Sequence, residues 1–191
     1  SVRGRDGTDM NGAPGRWDRV WFRPFDPFSV GLFRIALGSL LFLMFVSLSP
    51  HWETYYAADG MLSLHDPALP QTAEDRWSIF WLTEGVVPTR AWWGVGMLAS
   101  LAFAAGWHTR AATIMVYAVQ ASMIHRNWMV VNGEDLVFRM LLFYGCFAPR
   151  GAALSVDRWR QRRRAASGSA QPLIWPVRLM QLNVALIYLI S

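Results

Sequence analysis

Asp135 and Arg139 stand four residues apart at the head of a stretch apolar enough to cross a bilayer, and a second arginine, Arg34, lies inside another such stretch. On a helix, residues at i and i+4 share a face, so this carboxylate and guanidinium are spaced to pair where hydration is poor. Ionisable groups at such depth persist mainly where they pair with one another or line a polar cavity, which makes them pointers to a buried working site. Glu134 stands beside Asp135, and Asn132-Gly133 supplies a turn just before the helix, whose dipole favours acids in its first turn. Two readings of the cluster stay open: the acids cap the helix with Arg139 as their counter-charge, or the same groups touch a ligand. Arg34 needs a partner of its own. Asp135 or Glu134 is expected to supply it, either as a clamp between helices or as part of an anion-binding site. His125, close in sequence to Asn132 and Glu134, is an acid–base candidate beside its plainer role as an interfacial histidine.

Other chemistries are narrowed by what the chain holds. All eighteen basic residues are arginine, so no lysine amine among them serves as a base or Schiff-base former. One cysteine, Cys146, precludes an intrachain disulfide and reads as a buried structural thiol. His51 and Glu53 with His65 and Asp66 are metal-ligand types, but their spacing fits no closed zinc pattern, and no metal is expected. A net charge of +5 and a pI near 10.1 raise nucleic acid as a partner. Without a zinc spacing or an interleaved aromatic-basic motif, the charge is better read as that of cytoplasmic loops.

The elements that must position these residues are apolar helices. The chain is 53% hydrophobic and 16% charged, with a mean hydropathy of +0.21, where a soluble domain carries about a quarter charged residues. Five runs, 30–48, 91–107, 111–124, 136–148 and 173 onward, read as spans of an all-α polytopic transmembrane bundle. The short 108–110 connection makes the second and third antiparallel neighbours. Trp21, Trp52, Trp92, Trp93, Trp107, Trp128 and Trp175 flank the runs, as an interfacial aromatic belt does. Residues 1–16 read as a disordered cytoplasmic tail and 17–28 as an interfacial approach, with Ser29 as the cap of the first span. In the long 50–90 loop, Thr72 and Asp75 suggest a capping box ahead of Trp77, Phe80 and Trp81, giving a short helix on the bilayer surface that stops at Gly85. With the amino terminus inside, twelve arginines face the cytoplasm and three, Arg76, Arg90 and Arg126, face out. The positive-inside rule therefore predicts a multi-pass protein of the inner (cytoplasmic) membrane, with the 125–135 segment on the outer side. The run Arg158 to Arg164 is a topology signal and, secondarily, a contact for anionic lipid.

Several short motifs occur together and in order: Phe33-Arg34-Ile35-Ala36-Leu37-Gly38, Tyr55-Tyr56-Ala57-Ala58-Asp59-Gly60, Ala105-Gly106-Trp107-His108-Thr109-Arg110, Asn127-Trp128 with Asn132-Gly133-Glu134-Asp135, and Phe143-Tyr144-Gly145-Cys146-Phe147-Ala148-Pro149 followed by Ser155-Val156-Asp157-Arg158. Jointly they resemble the membrane domain shared by vitamin K-dependent gamma-carboxylase and its bacterial relatives, the HTTM domain. The resemblance covers about residues 22–191, so 17–191 is expected to form one HTTM-like domain that is incomplete at its carboxyl end. It implies an all-helical membrane domain which, in the carboxylase, uses vitamin K hydroquinone, oxygen and carbon dioxide to carboxylate glutamate side chains. Three departures are plain. The family's basic lysine would fall beyond Ser191, Glu134 stands where the carboxylase presents a histidine, and the carboxylase's extramembrane domain is absent.

The resulting expectation is an HTTM-like membrane protein with an outward-opening polar site built from Arg34, Asn132, Glu134, Asp135 and Arg139, its reaction unassigned. Glu134 or His125 would accept a proton, and by resemblance a quinone or vitamin K-type quinol would be the substrate. The alternative is a non-catalytic subunit packed against a larger membrane protein complex, where the same charges only lock helices together.

Overall fold

A computed structural model describes residues 26–57, 60–61, 78–81, 86–147, 154–163 and 175–190. The expected tail at 1–16, the approach up to residue 25 and the capping box at 72–75 lie outside them.

The described residues are helical, with no strand. Helix α1 spans Pro27–Leu48 and continues through a 3-10 turn, Ser49–His51, into the short α2, Trp52–Tyr56. Then come α3, Val86–Ala105, α4, Thr109–Arg126, and α5, Gly133–Phe147. The short α6, Val156–Arg163, and α7, Trp175–Ile190, complete the order. Each predicted apolar run thus lies on a helix, although the boundaries move. Asp26, not Ser29, caps α1: its carboxylate accepts from the amides of Phe28 (3.1 Å) and Ser29 (3.2 Å) and from the Ser29 hydroxyl, with Pro27 opening the first turn where no amide proton is needed.

Among the described residues, only the run Pro27–Tyr56 is long and apolar enough to cross a membrane by length and composition, with a mean hydropathy of 2.1. The reason is physical. Helix α4 carries Arg110, Gln120, His125 and Arg126. At 15 and 16 residues, α5 and α7 are about 22–24 Å long at 1.5 Å per residue, short of a ~30 Å hydrocarbon core.

Neighbouring helices run antiparallel. Gly38 of α1 meets Ala104 near the end of α3, and Gly96 near the middle of α3 meets the Phe45 ring near the end of α1. Gly145 at the end of α5 lies against Thr113 at the start of α4, and Asn183 of α7 donates to the Tyr144 hydroxyl of α5. One core gathers Leu37, Leu41, Phe103, Val116 and Leu142 between these helices. A second gathers Phe45, Trp52, Tyr56, Phe80, Val119 and Met123 at the opposite end. Phe80 and Ile79 are buried there in a 3-10 turn, Ile79–Trp81, whose Ile79 amide donates to the Ser122 hydroxyl. In the described part of the expected surface helix, then, the chain forms a buried 3-10 turn whose Phe80 packs edge-on to Trp52.

Polar side chains share the interior with these apolar cores, and many large apolar side chains face outward. Arg34, Ser100, Thr113, Gln120, Ser122 and Arg126 are buried, whereas Leu32, Leu43, Leu98, Ile114, Phe143 and Leu182 are exposed. Large apolar side chains exposed in such number are found on surfaces that meet lipid or another protein.

Candidate functional site

The two arginines that define the expected site do not meet Asp135. Arg34 is 5% exposed, and its Nη2 donates to the Leu154 carbonyl at 2.8 Å, just ahead of α6. Its Nε is buried without a hydrogen-bond partner among the described residues. Gly106, at φ +71°, makes room for the guanidinium, since a Cβ there would stand 2.5 Å from Nη1. Asp157 is near enough to attract the cation, but its carboxylate is spent elsewhere. It accepts from the amides of His108 (3.0 Å) and Thr109 (2.9 Å) and from the Thr109 hydroxyl (3.0 Å), capping the first turn of α4. Partial burial raises the Asp157 carboxyl, and the three bonds outweigh it, holding the group below its ordinary value. In return the Asp157 amide donates to the Gly106 carbonyl at 3.0 Å. Arg34 is therefore the inner strut of a junction that ties α6 to the α3–α4 turn.

Asp135 sits at the other end of the molecule. Its hydrogen-bond partner Gln120 stands eleven residues along α4 from Thr109, about 16 Å of helix rise. Asp135 Oδ2 accepts from the Asn132 amide at 2.9 Å while the Asp135 amide donates to the Asn132 carbonyl at 3.1 Å. An acid reaching back from the first turn in this way closes the helix start, so the capping reading holds for one oxygen. Oδ1 faces inward and accepts from Gln120 Nε2 at 3.1 Å. The predicted ion pair to Arg139 is not made. Among the described residues, the one ion pair joins Arg90 and Glu53, and Asp135 is already satisfied by its cap and by Gln120.

Between α4, α2 and the α4–α5 connection lies a small pocket, about 180 Å³ of empty space including its open mouth. Tyr56, Gln120, Met123, Ile124, Val130, Val131 and Asp135 line it. Gln120 is completely buried, and its Oε1 has no hydrogen-bond partner among the described residues. Because Nε2 is committed to the Asp135 carboxylate, the amide orientation is fixed and the unused group is an acceptor. A visitor to this pocket must donate a hydrogen bond.

The pocket wall is braced by Arg126 and Asn127. Arg126, 6% exposed, donates through Nε to the Tyr56 carbonyl (3.3 Å) and through Nη2 to the Ala57 carbonyl (2.6 Å), where α2 ends. Asn127 donates to the Tyr55 carbonyl at 3.0 Å, and its Oδ1 accepts from the Met129 amide at 3.2 Å. Trp52 adds a further tie through Nε1 to the Thr89 carbonyl at 2.9 Å.

Of the residues expected at the site, Asn132 and Asp135 come together at the pocket rim. Glu134 is exposed and His125 half-buried; neither lines the pocket, nor do Arg139 and Arg34. Gln120, Tyr56 and Arg126 are the residues sequence reasoning missed. A neutral amide alone in the middle of an apolar run was the available signal for Gln120. His65 and Asp66 lie outside the described residues. Compared with protein-family models, curated proteins and solved structures, the chain matches none.

Proposed function

We propose that the chain is a multi-span membrane protein of the HTTM type whose Gln120–Asp135 pocket, near the outer face, receives the hydroxyl end of a lipophilic, quinol-like molecule. The observation that carries this reading is the pairing of polar groups buried inside the bundle with large apolar side chains exposed on its outside. Fully buried Gln120 reaches Asp135 at the pocket rim, while large apolar side chains, among them Leu43, Leu98, Ile114, Phe143 and Leu182, are exposed on α1, α3, α4, α5 and α7. Orientation is supported by where the arginines fall. Arg110, Arg158 and Arg160 belong to the end that holds Arg34, whereas Arg90 and Arg126 belong to the pocket end, the sense required for an amino terminus in the cytoplasm.

The pocket offers a carboxylate and an unused amide oxygen and no lining cation, which suits a hydroxyl donor. Proton acceptance falls to Asp135 in this geometry, in place of Glu134 or His125, because Asp135 alone among the three lines the cavity. The test is extraction of the protein in mild detergent, with mass spectrometry of co-purifying small molecules. Retention of a quinone or quinol by the wild type, and its loss from Gln120→Leu at unchanged protein yield, supports the reading. Equal quinone content in both, or none in either, overturns it.

A further inference from the structure

The junction at the Arg34 end presents a surface of its own. Helix α6 contains Arg158, Arg160, Arg162 and Arg163 and one acid, Asp157, which is consumed in capping α4. Arg158 and Arg160 have no carboxylate at ion-pair distance among the described residues, where the one ion pair lies at the opposite end. Beside them, Leu154, Val156 and Trp159 are exposed by 53%, 38% and 55%, and Val156 and Trp159, three apart, share a helix face. The start of α6 is fixed in height. Asp157 is bonded to the turn between Ala105 and Thr109, and Arg34 holds the Leu154 carbonyl, so α6 begins level with the ends of α3 and α4.

We propose that α6 is a headgroup anchor that binds anionic phospholipid in the leaflet next to the α3–α4 turn. The proposal rests on the membrane reading given above. At the level where spanning helices end, an indole and two aliphatic side chains reach the interface, and guanidinium forks meet phosphate oxygens two at a time. Arginines without carboxylate partners beside an apolar patch are the complement of a negatively charged leaflet, on which each contributes enough attraction to enrich the local anionic lipid about fivefold. The rigid tie through Asp157 and Arg34 sets the helix at one depth, so lipid contact costs it little ordering.

The test uses the full chain in lipid nanodiscs, with Cys146→Ser and Trp159→Cys carrying a bimane fluorophore at position 159. Dibrominated phosphatidylcholine and dibrominated phosphatidylglycerol, at equal mole fraction, act as quenchers. Quenching by both lipids is expected, stronger for the anionic one by about 25-fold in effective concentration, about fivefold from each of Arg158 and Arg160. Adding Arg158→Gln and Arg160→Gln should lower the ratio by about 25-fold while the zwitterionic quencher still works. Equal quenching in the parent overturns headgroup recognition, and a label untouched by either lipid overturns the anchor altogether. A chain that fails to enter nanodiscs at all, judged by co-migration with the lipid belt, refutes the membrane reading first, so the two failures are distinguishable.

Discussion

Replacing Gly38 with alanine should loosen a close backbone contact between α1 and α3. A Cβ built at Gly38 would stand 2.7 Å from the Ala104 Cβ and 2.8 Å from both its Cα and its amide nitrogen. Two of those neighbours are backbone, so no rotamer change relieves them. The helices must instead separate by roughly 0.7 Å to restore a 3.4 Å contact, in an interior packed too densely to absorb such a shift. Overpacking of this kind costs about 1–3 kcal/mol. Alanine in place of a helical glycine also brings a propensity gain of about 0.5–1 kcal/mol, which opposes the clash. Gly94 on α3 isolates that gain, because a Cβ there meets nothing within 4 Å. Gly38→Ala should therefore unfold below Gly94→Ala by about 1–3 kcal/mol, roughly 2–12 °C in Tm for a chain of this size. Thermal unfolding of both variants in one mild detergent measures the difference. Equal midpoints, or a more stable Gly38→Ala, would refute the close approach of α1 and α3.

Gly106→Ala should cost at least about 1–2 kcal/mol for the left-handed backbone alone, and more from the collision with Arg34, read as a lower unfolding midpoint. The Asp157 carboxyl is held below its unfolded value, so its stabilisation is complete above about pH 4 and is lost as pH falls through the lower folded value. Asp157→Asn should reproduce that loss at neutral pH, seen as faster hydrogen exchange at the His108 and Thr109 amides. Asp135→Leu leaves Gln120 Nε2 buried without its acceptor and should destabilise by about 1–3 kcal/mol, whereas Asp135→Asn keeps an oxygen there and should cost less. Trp52→Phe removes the bond to the Thr89 carbonyl, worth about 1 kcal/mol, and a thermal midpoint unchanged within error would show that bond to be idle.

The helices were legible because apolar runs bounded by Pro, Gly and polar residues leave few alternatives, and the antiparallel pairing of α3 with α4 followed from a three-residue link. Contacts between distant helices were not. Arg34 reaches a backbone carbonyl 120 residues away, and a carbonyl carries no residue-type signature, so carboxylates looked like the natural partners. Arg126 was read as an outward-facing loop charge for the same reason, since its acceptors are the last carbonyls of α2. The i, i+4 spacing of Asp135 and Arg139 promised a pair that the Asn132 cap and Gln120 pre-empt. The pocket is assembled from α2, α4 and the segment before α5, a juxtaposition set by tertiary packing and invisible to periodicity along any one helix.

Cysteine accessibility tests the central claim, a multi-span bundle with its polar groups inside and its two ends on opposite sides of a membrane. In a Cys146→Ser background, Glu134→Cys and Arg160→Cys place single thiols at exposed positions on α5 and α6. In intact cells a membrane-impermeant maleimide should label Glu134→Cys and reach Arg160→Cys only after permeabilisation. Labelling of both thiols before permeabilisation, or recovery of the protein in the soluble fraction, would contradict the account.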